Sequence, residues 1–262
     1  MQKEYEGAYD VSMPGLRLRL MQDFAAPKRG RSESEYEDAR TASSHCMAIA
    51  DGAAESSFAG IWAQGLVSEY IATQPDKNNI FNWLDPLQNK WSATISAMSL
   101  PWYAEEKAAY GAFASLAGIR LSGGLNWSAF AVGDSCIFLV REESLCLAFP
   151  LTQSGEFGNT PGLISSKPIK NRNLSAFIRE TSGTCEIGDL FFLATDALAC
   201  WFLQAVEAGL QPWRMLSALE NYDAFLQFLE EERARQRIRN DDVTLLIASV
   251  SRENNDDIPN VA

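Results

Sequence analysis

Basic residues are scarce in this sequence relative to acidic ones. The chain of 262 residues has 22 lysines and arginines against 34 aspartates and glutamates, so its formal net charge is −12. Nucleic acids and anionic membranes bind proteins mainly through a basic face. The charge balance therefore argues against either of them as the main partner. It is compatible with a bound cation that offsets part of the negative charge.

Long apolar runs are missing as well. No segment approaches the roughly 18 consecutive apolar residues of a membrane-spanning helix, and residues 1–7 contain no hydrophobic stretch of a signal peptide. The 5 cysteines have no Cys-x-x-Cys spacing, and most of them lie in apolar surroundings, which is typical of buried, reduced thiols. We therefore expect a soluble, cytoplasmic protein.

Histidine is almost absent, since His45 is the only one. It is most simply explained as a hydrogen-bonded strand residue. The chain also lacks the Gly-x-Ser-x-Gly element that carries the nucleophile of many serine hydrolases. The sequence therefore offers no obvious protein nucleophile with a neighbouring base.

Apolar residues, in contrast, are abundant. They make up 47% of the chain and include 7 tryptophans and 14 phenylalanines, so a substantial core is possible and global disorder is excluded. There is no internal repeat and no interior linker. Residues 1–252 are therefore predicted to form a single domain, followed by a disordered tail at residues 253–262. Uneven alternation of strand and helix patterns indicates an α+β fold, with antiparallel sheets packed on each other and helices outside.

Periodicity locates the main elements. Apolar side chains spaced three and four residues apart predict helices at residues 54–73, 105–119, 197–208 and 222–238. Short apolar runs predict strands at residues 16–20, 47–50, 190–195 and 243–250. Residues 125–132 and 136–140 flank a Gly-Asp turn and are predicted to pair as a β-hairpin. Residues 151–172 are predicted to form a long loop, and residues 78–101 give no clear pattern.

Carboxylates stand at the ends of three predicted strands. Asp51 follows one strand, Asp196 follows another, and Asp241 and Asp242 precede the last. In an antiparallel sheet, the end of one strand lies beside the start of its neighbour. Because like charges repel unless a cation neutralises them, the pattern predicts a divalent-metal site at one sheet edge.

Five short motifs follow one another along the chain. They are Glu37-Asp38-Ala39, Ala50-Asp51-Gly52, Gly133-Asp134-Ser135, Thr195-Asp196-Ala197 and Asp241-Asp242-Val243-Thr244. Each motif alone is weak, but their order over residues 37–248, with strands predicted at four of them, resembles the type-2C metal-dependent protein phosphatase family. The resemblance implies a four-layer α-β-β-α sandwich, in which two mostly antiparallel sheets are flanked by helices.

The resemblance also implies a site for two Mg²⁺ or Mn²⁺ ions at one end of the sheets. Asp51 would bridge both ions, while the carbonyl oxygen of Gly52 and the carboxylate of Glu37 would join it on one of them. Asp196 and Asp241 would complete the other. Ligands that are all oxygens suit these hard cations, and the absence of histidine and cysteine ligands argues against zinc.

Three further acidic residues receive roles from the same resemblance. Asp134 matches a residue that can hold a third ion in some members, together with the aspartate that corresponds to Asp196. The alternative is that Asp134 is a residue of the predicted hairpin turn without a metal role. Asp38 and Asp242 would lie just outside the ligands and orient them.

The chemistry implied by the family is hydrolysis of phosphoserine and phosphothreonine in proteins. Two ions would activate a water for attack on phosphorus and stabilise the phosphoryl oxygens, without a covalent enzyme intermediate. The implied partners are a phosphoprotein substrate and an opposing serine/threonine kinase system.

Several positions on the substrate side depart from the family pattern. Ala53 stands where some members have a histidine, Ala197 replaces the glycine of Thr-Asp-Gly, and Glu33 occupies the usual position of a phosphate-binding arginine. Arg31 is predicted to bind phosphate instead, with Arg29 as an alternative. These departures leave open a non-catalytic pseudophosphatase that binds a phosphoprotein or another partner, and also a metal-stabilised structural domain.

Overall fold

The computed structural model describes residues 15–54, 56–158 and 161–252, and two five-stranded antiparallel sheets form its centre. The first sheet has the order β1 (Leu16–Ala26), β12 (Val243–Arg252), β11 (Leu190–Ala194), β7 (Cys136–Arg141) and β8 (Ser144–Phe149). The second has the order β10 (Arg179–Thr184), β6 (Asn126–Val132), β5 (Leu116–Leu121), β3 (Cys46–Ala50) and β2 (Ala39–Ala42). A short additional pair joins β4 (Phe113–Ala114) to β9 (Ile164–Ser165).

Helices cover the outer faces of both sheets. Those against the second sheet are α1 (Ala59–Ala72), α2 (Ile80–Ser96) and α3 (Trp102–Tyr110). Those against the first sheet are α4 (Asp196–Glu207), α5 (Pro212–Ser217) and α6 (Tyr222–Ala234). Single 3₁₀ turns lie at Glu33–Glu35, Ser154–Glu156, Pro168–Asn171 and Leu174–Ala176. In the part of the chain that the structure describes, none of the helices has the length and apolar character needed to cross a membrane.

The layers follow from the alternation of side chains along the strands. In β3, Met47 and Ile49 lie between the two sheets, whereas Ala48 belongs to the core under α1. In β11, Phe191 lies between the sheets, whereas Phe192 packs against α4. Because these strands are buried on both faces, they read in sequence as continuous apolar runs. The predicted α-β-β-α sandwich is confirmed.

The predicted β-hairpin at residues 125–140 is wrong. β6 and β7 do flank the turn at Gly133, where φ is +101°. However, β6 pairs with β5 and β10, whereas β7 pairs with β8 and β11. Each strand is buried on both faces and therefore takes an interior position in its own sheet. The turn carries the chain from one sheet to the other and places Asp134 between them.

The helix predicted at residues 105–119 is wrong in its second half. Helix α3 ends at Tyr110, Gly111 follows with φ at +95°, and β4 and β5 take up the remaining residues. The small residues that suggested close helix packing serve a strand instead. At Gly118 in β5, a Cβ would lie 2.4 Å from the ring of Tyr70, so glycine is what admits this buried side chain of α1.

The packing of α4 on the first sheet gives a stability prediction. Phe202 is fully buried and stacks on Phe138, with ring centroids 4.0 Å apart. Phe202→Ala should lower the free energy of unfolding by about 3–5 kcal/mol, because it removes buried apolar area and leaves a cavity. Phe81→Ala on α2, where the side chain is 48% exposed, is the control and should change it by less than about 0.5 kcal/mol. Equal losses for both variants in urea denaturation would contradict this packing.

Candidate metal centre

Three aspartates from distant parts of the chain meet at one end of the sandwich. Asp51 follows β3, Asp134 lies in the turn between β6 and β7, and Asp196 is the first residue of α4 after β11. One carboxylate oxygen from each lies within 4.8 Å of the others. We call these three residues the acidic cluster. Since β3 and β6 belong to one sheet and β7 and β11 to the other, the cluster lies where the two sheets meet rather than at the edge of one sheet.

Two buried serines connect the backbone of Asp51 to the turn that carries Asp134. The amide of Asp51 donates a hydrogen bond to Oγ of Ser115 at 3.1 Å, and the amide of Ser115 donates to the carbonyl oxygen of Asp51 at 2.9 Å. Oγ of Ser115 lies 2.6 Å from Oγ of Ser135, the residue after Asp134. This chain of contacts links two residues of the acidic cluster across the junction of the sheets.

Asp242 fixes the segment that carries Glu37. Its carboxylate accepts hydrogen bonds from the amide of Lys28 at 2.8 Å and from the amide of Glu37 at 2.9 Å. The carbonyl oxygen of Glu37 in turn lies against Gly52, where an added Cβ would be 2.4 Å from it. Glu37 is thus placed beside the Asp51-Gly52 turn, although its carboxylate is not among the three oxygens that meet in the acidic cluster.

Asp38 lies behind the cluster and is almost fully buried. One of its oxygens accepts a hydrogen bond from Oγ1 of Thr244 at 2.8 Å, and this hydroxyl also contacts the hydroxyl of Tyr36. The amide of Thr244 donates to Oγ1 of Thr195 at 2.9 Å, immediately before Asp196. The start of β12 and the start of α4 are therefore tied together beside the site.

Asp241 is linked to the acidic cluster by Arg239, which contacts both Asp241 and Asp196. The guanidinium of Arg239 forms an ion pair with Asp196, and its Nε lies 3.3 Å from Oδ2 of Asp241. The remaining predicted residue, Arg31, lies on the surface and binds Glu35 four residues along the chain. Arg31 and Glu37 nevertheless line the same cleft, which has a volume of about 550 Å³.

Burial and mutual repulsion raise the pKa values of these acids. Burial, together with the charges of Asp134 and Asp241, raises the pKa of Asp51 to about 7. Burial and the charge of Asp51 raise the pKa of Asp38 well above its usual value. Burial also raises the pKa of Asp134 and of Glu37. The arrangement is therefore unfavourable for a fully ionised site without a cation.

The residues present fit a hard divalent cation. Oδ1 of Asp196 and Oδ1 of Asp38 are buried and have no hydrogen-bond partner, so each has an oxygen with no protein donor. The donors that meet are carboxylate oxygens, and His45 lies exposed in the turn before β3. Oxygen donors of this kind are those that Mg²⁺ and Mn²⁺ prefer.

Sequence reasoning missed several residues that organise this site. Ser115 and Ser135 belong to strand ends that are 20 residues apart, and nothing in the sequence marks their contact. Arg239 lies just before the last motif, so its position next to Asp241 was the available signal. Ala197, which replaces a family glycine, lies in the first turn of α4, where alanine is fully compatible with the backbone.

The raised pKa values predict how stability depends on pH. An acid whose pKa is higher in the folded state favours unfolding as pH rises from its ordinary value toward the raised one. For Asp51 this window runs from 3.8 to about 7. In the presence of EDTA, the protein should therefore be less stable at about pH 8 than at about pH 5, with Asp51 contributing roughly 1–4 kcal/mol.

Two substitutions distinguish the effect of Asp51 on stability from that of an exposed aspartate. Asp51→Asn should raise the free energy of unfolding at about pH 8 in EDTA and flatten its pH dependence. Asp85→Asn, on the exposed face of α2, is the control and should leave both unchanged. A marked loss of stability in Asp51→Asn would mean that this carboxylate holds the fold through hydrogen bonds.

The contact between Gly52 and Glu37 gives a second prediction. Gly52→Ala places a methyl group against a backbone oxygen that cannot move freely, so the segment of Glu37 must shift. We expect weaker Mn²⁺ binding in calorimetry and a lower free energy of unfolding, by about 1–3 kcal/mol. Gly123→Ala is the control, since an added Cβ meets nothing within 4 Å. If Gly52→Ala binds Mn²⁺ as tightly as the wild type, Glu37 is not a ligand of the ion.

Solved structures share this architecture. The Mycobacterium tuberculosis serine/threonine phosphatase PstP/Ppp is 17% identical, and the match covers 89% of this chain and 98% of that one with a TM-score of 0.56. The serine/threonine phosphatase Stp1 from Staphylococcus aureus is 14% identical, with 94% and 100% covered and a TM-score of 0.60. The PstP catalytic domain was also solved with 2 manganese ions, at 17% identity, 90% and 99% coverage and a TM-score of 0.56. At these identities the likeness establishes the fold.

The family of this chain is identified by its sequence rather than by its fold. No curated protein matches the chain. The model of the family described as protein phosphatase 2C, however, matches residues 34–241, which include the first four of the motifs that suggested the resemblance and Asp241 of the fifth. The chain belongs to the protein phosphatase 2C family.

Proposed function

We propose that this protein hydrolyses phosphoserine and phosphothreonine in proteins and depends on Mg²⁺ or Mn²⁺. The observation that carries the proposal is the acidic cluster: three carboxylates within 4.8 Å of one another, in which Asp196 keeps a buried oxygen without a donor. Such a site is unfavourable when empty of cations. The family to which the chain belongs supports the reaction class.

The proposed ligands are Glu37, Asp51 and the carbonyl oxygen of Gly52 for one ion, and Asp51, Asp196 and Asp241 for the other. Asp134 is the proposed ligand of a third ion. When bound, divalent ions acidify a water for attack on phosphorus and stabilise the charge of the phosphoryl oxygens.

The contribution of the chain itself is to fix these groups before substrate arrives. Asp242 holds the amide of Glu37, and Ser115 holds both backbone groups of Asp51. Asp38 and Thr244 tie the entry of β12 to the same end. Because each of these contacts is buried or half-buried, the donor groups stay oriented without further ordering when ions bind.

The cleft beside Glu37 is the proposed entry for the substrate. Its walls are formed by polar side chains and by Phe58 and Ile61, and its volume of about 550 Å³ accommodates a phosphorylated side chain with neighbouring residues. Arg31 at the rim stays a predicted phosphate contact, which requires that its guanidinium leave Glu35. A phosphoprotein opposed by a serine/threonine kinase is the proposed substrate. The five unpaired cysteines support a cytoplasmic location.

A non-catalytic function is the second candidate. It is favoured by Arg239, whose guanidinium forms ion pairs with Asp196 and Asp241, two of the proposed ligands. In that case the cleft would bind a phosphoprotein without turnover.

Hydrolysis of a phosphothreonine peptide separates the two candidates. We expect turnover with Mn²⁺ or Mg²⁺ that EDTA abolishes, and a loss of at least about a hundredfold in Asp51→Asn because both proposed ions share this ligand. Asp85→Asn should retain wild-type kinetics, since Asp85 is exposed on α2. Peptide binding without metal-dependent turnover would support the non-catalytic candidate instead.

A further inference from the structure

The guanidinium of Arg239 contacts acidic residues of the proposed metal site. It forms ion pairs with Asp196 and Asp241, and its charge partly opposes the rise that burial causes in the pKa values of Asp51 and Asp134. The two partners differ in exposure: the side chain of Asp196 is 8% exposed, whereas that of Arg239 is 50% exposed. The side chain of Arg239 therefore contacts the acids while half of its surface stays exposed to solvent.

The backbone around Arg239 is held in place. Arg233 donates a hydrogen bond to the carbonyl oxygen of Asp241 at 2.7 Å. Oδ1 of Asn240 accepts from the amide of Arg29 at 2.6 Å. Arg237, on the other side, donates to the buried carboxylate of Glu232 at 2.8 Å. The side chain of Arg239 can thus change partners while its Cα stays beside the cluster.

Other arginines near this end are bound elsewhere. Arg29 pairs with Glu230, and Arg31 pairs with Glu35 on the surface. Arg40 pairs with Asp23. A phosphoryl dianion that enters a site built from carboxylates on a chain of net charge −12 needs a cationic partner. Arginine is suited to it because its planar fork binds two phosphate oxygens at once.

We propose that Arg239 binds the phosphoryl group of the substrate, after divalent ions have taken its place on Asp196 and Asp241. The inference rests on the proposed use of the acidic cluster as a metal and phosphoryl site. In the structure, Arg239 is the positive charge that is paired with Asp196 and Asp241. Once cations coordinate the same oxygens, the attraction that holds the guanidinium there is lost, and its half-exposed side chain is free to turn toward a bound phosphoryl group.

The proposal predicts that removal of the Arg239 side chain changes both Mn²⁺ binding and phosphate binding. Since the guanidinium and the metal compete for the same carboxylate oxygens, removal of Arg239 should strengthen Mn²⁺ binding. Since the freed guanidinium would contact phosphate, removal should weaken phosphate binding in the metal-loaded protein. A residue that only stabilised the surface would change neither quantity.

The test compares Arg239→Ala and Arg239→Lys with Arg214→Ala. Arg214 is a suitable control because its ion pair with Glu143 lies at the far end of β7 from Asp134. Calorimetry gives the affinity for Mn²⁺ and, with Mn²⁺ saturating, the affinity for inorganic phosphate. We expect Arg239→Ala to bind Mn²⁺ severalfold more tightly and phosphate about ten- to a hundredfold more weakly. Arg239→Lys should fall between it and the wild type, since lysine keeps the charge but not the fork. Arg214→Ala should match the wild type in both.

The outcomes separate this inference from the proposed function. Phosphate affinity in Arg239→Ala equal to that of Arg214→Ala overturns the inference, even if the wild type is an active phosphatase. A larger loss of phosphate affinity in Arg31→Ala than in Arg239→Ala also overturns it. A wild type that binds phosphate through Arg239 but does not hydrolyse phosphopeptide contradicts the proposed catalytic function and leaves the inference supported.

Discussion

Repulsion among carboxylates brought together between two sheets is the constraint on which this structure depends. Asp51, Asp134 and Asp196 come from segments that have no reason to approach one another except that the sandwich places their strand ends at the same point. A cluster of this kind lowers stability unless something positive neutralises it. The guanidinium of Arg239 forms an ion pair with Asp196, and we propose that divalent ions replace it there.

The surrounding hydrogen bonds show how the fold withstands this repulsion. Ser115 and Ser135 bridge the junction of the sheets, while Asp242 and Thr244 tie the entry of β12 to the segment of residues 36–38. These contacts join parts of the chain that are up to 208 residues apart. The apolar core on both sides of each sheet supplies the stability that an unfavourable polar site costs, which is common at functional sites.

Much of this could be predicted from the sequence, and the remainder has physical reasons for being missed. Apolar runs that end in Asp51 and before Asp196 identified buried strands. Antiparallel pairing does bring the end of β11 beside the start of β12, but β3 lies in the other sheet, so Asp51 reaches the site through the packing of the two sheets. The same periodicity does not say which sheet a strand joins, so β6 and β7 were wrongly paired as a hairpin. Small residues before Gly118 fit a helix or a strand equally well until the ring of Tyr70 is seen to occupy the space. Arg239 acts through a contact between the loop that joins α6 to β12 and the start of α4, and these segments are far apart in sequence.

The central claim is that the acidic cluster binds divalent cations that replace Arg239. Anomalous diffraction from crystals grown with Mn²⁺ tests it most directly. We expect manganese peaks at about 2.0–2.5 Å from carboxylate oxygens of Asp51 and Asp196, with the guanidinium of Arg239 turned away from Asp196. A crystal grown in millimolar Mn²⁺ that shows no peak at these carboxylates, with Arg239 still paired to Asp196, would contradict the account.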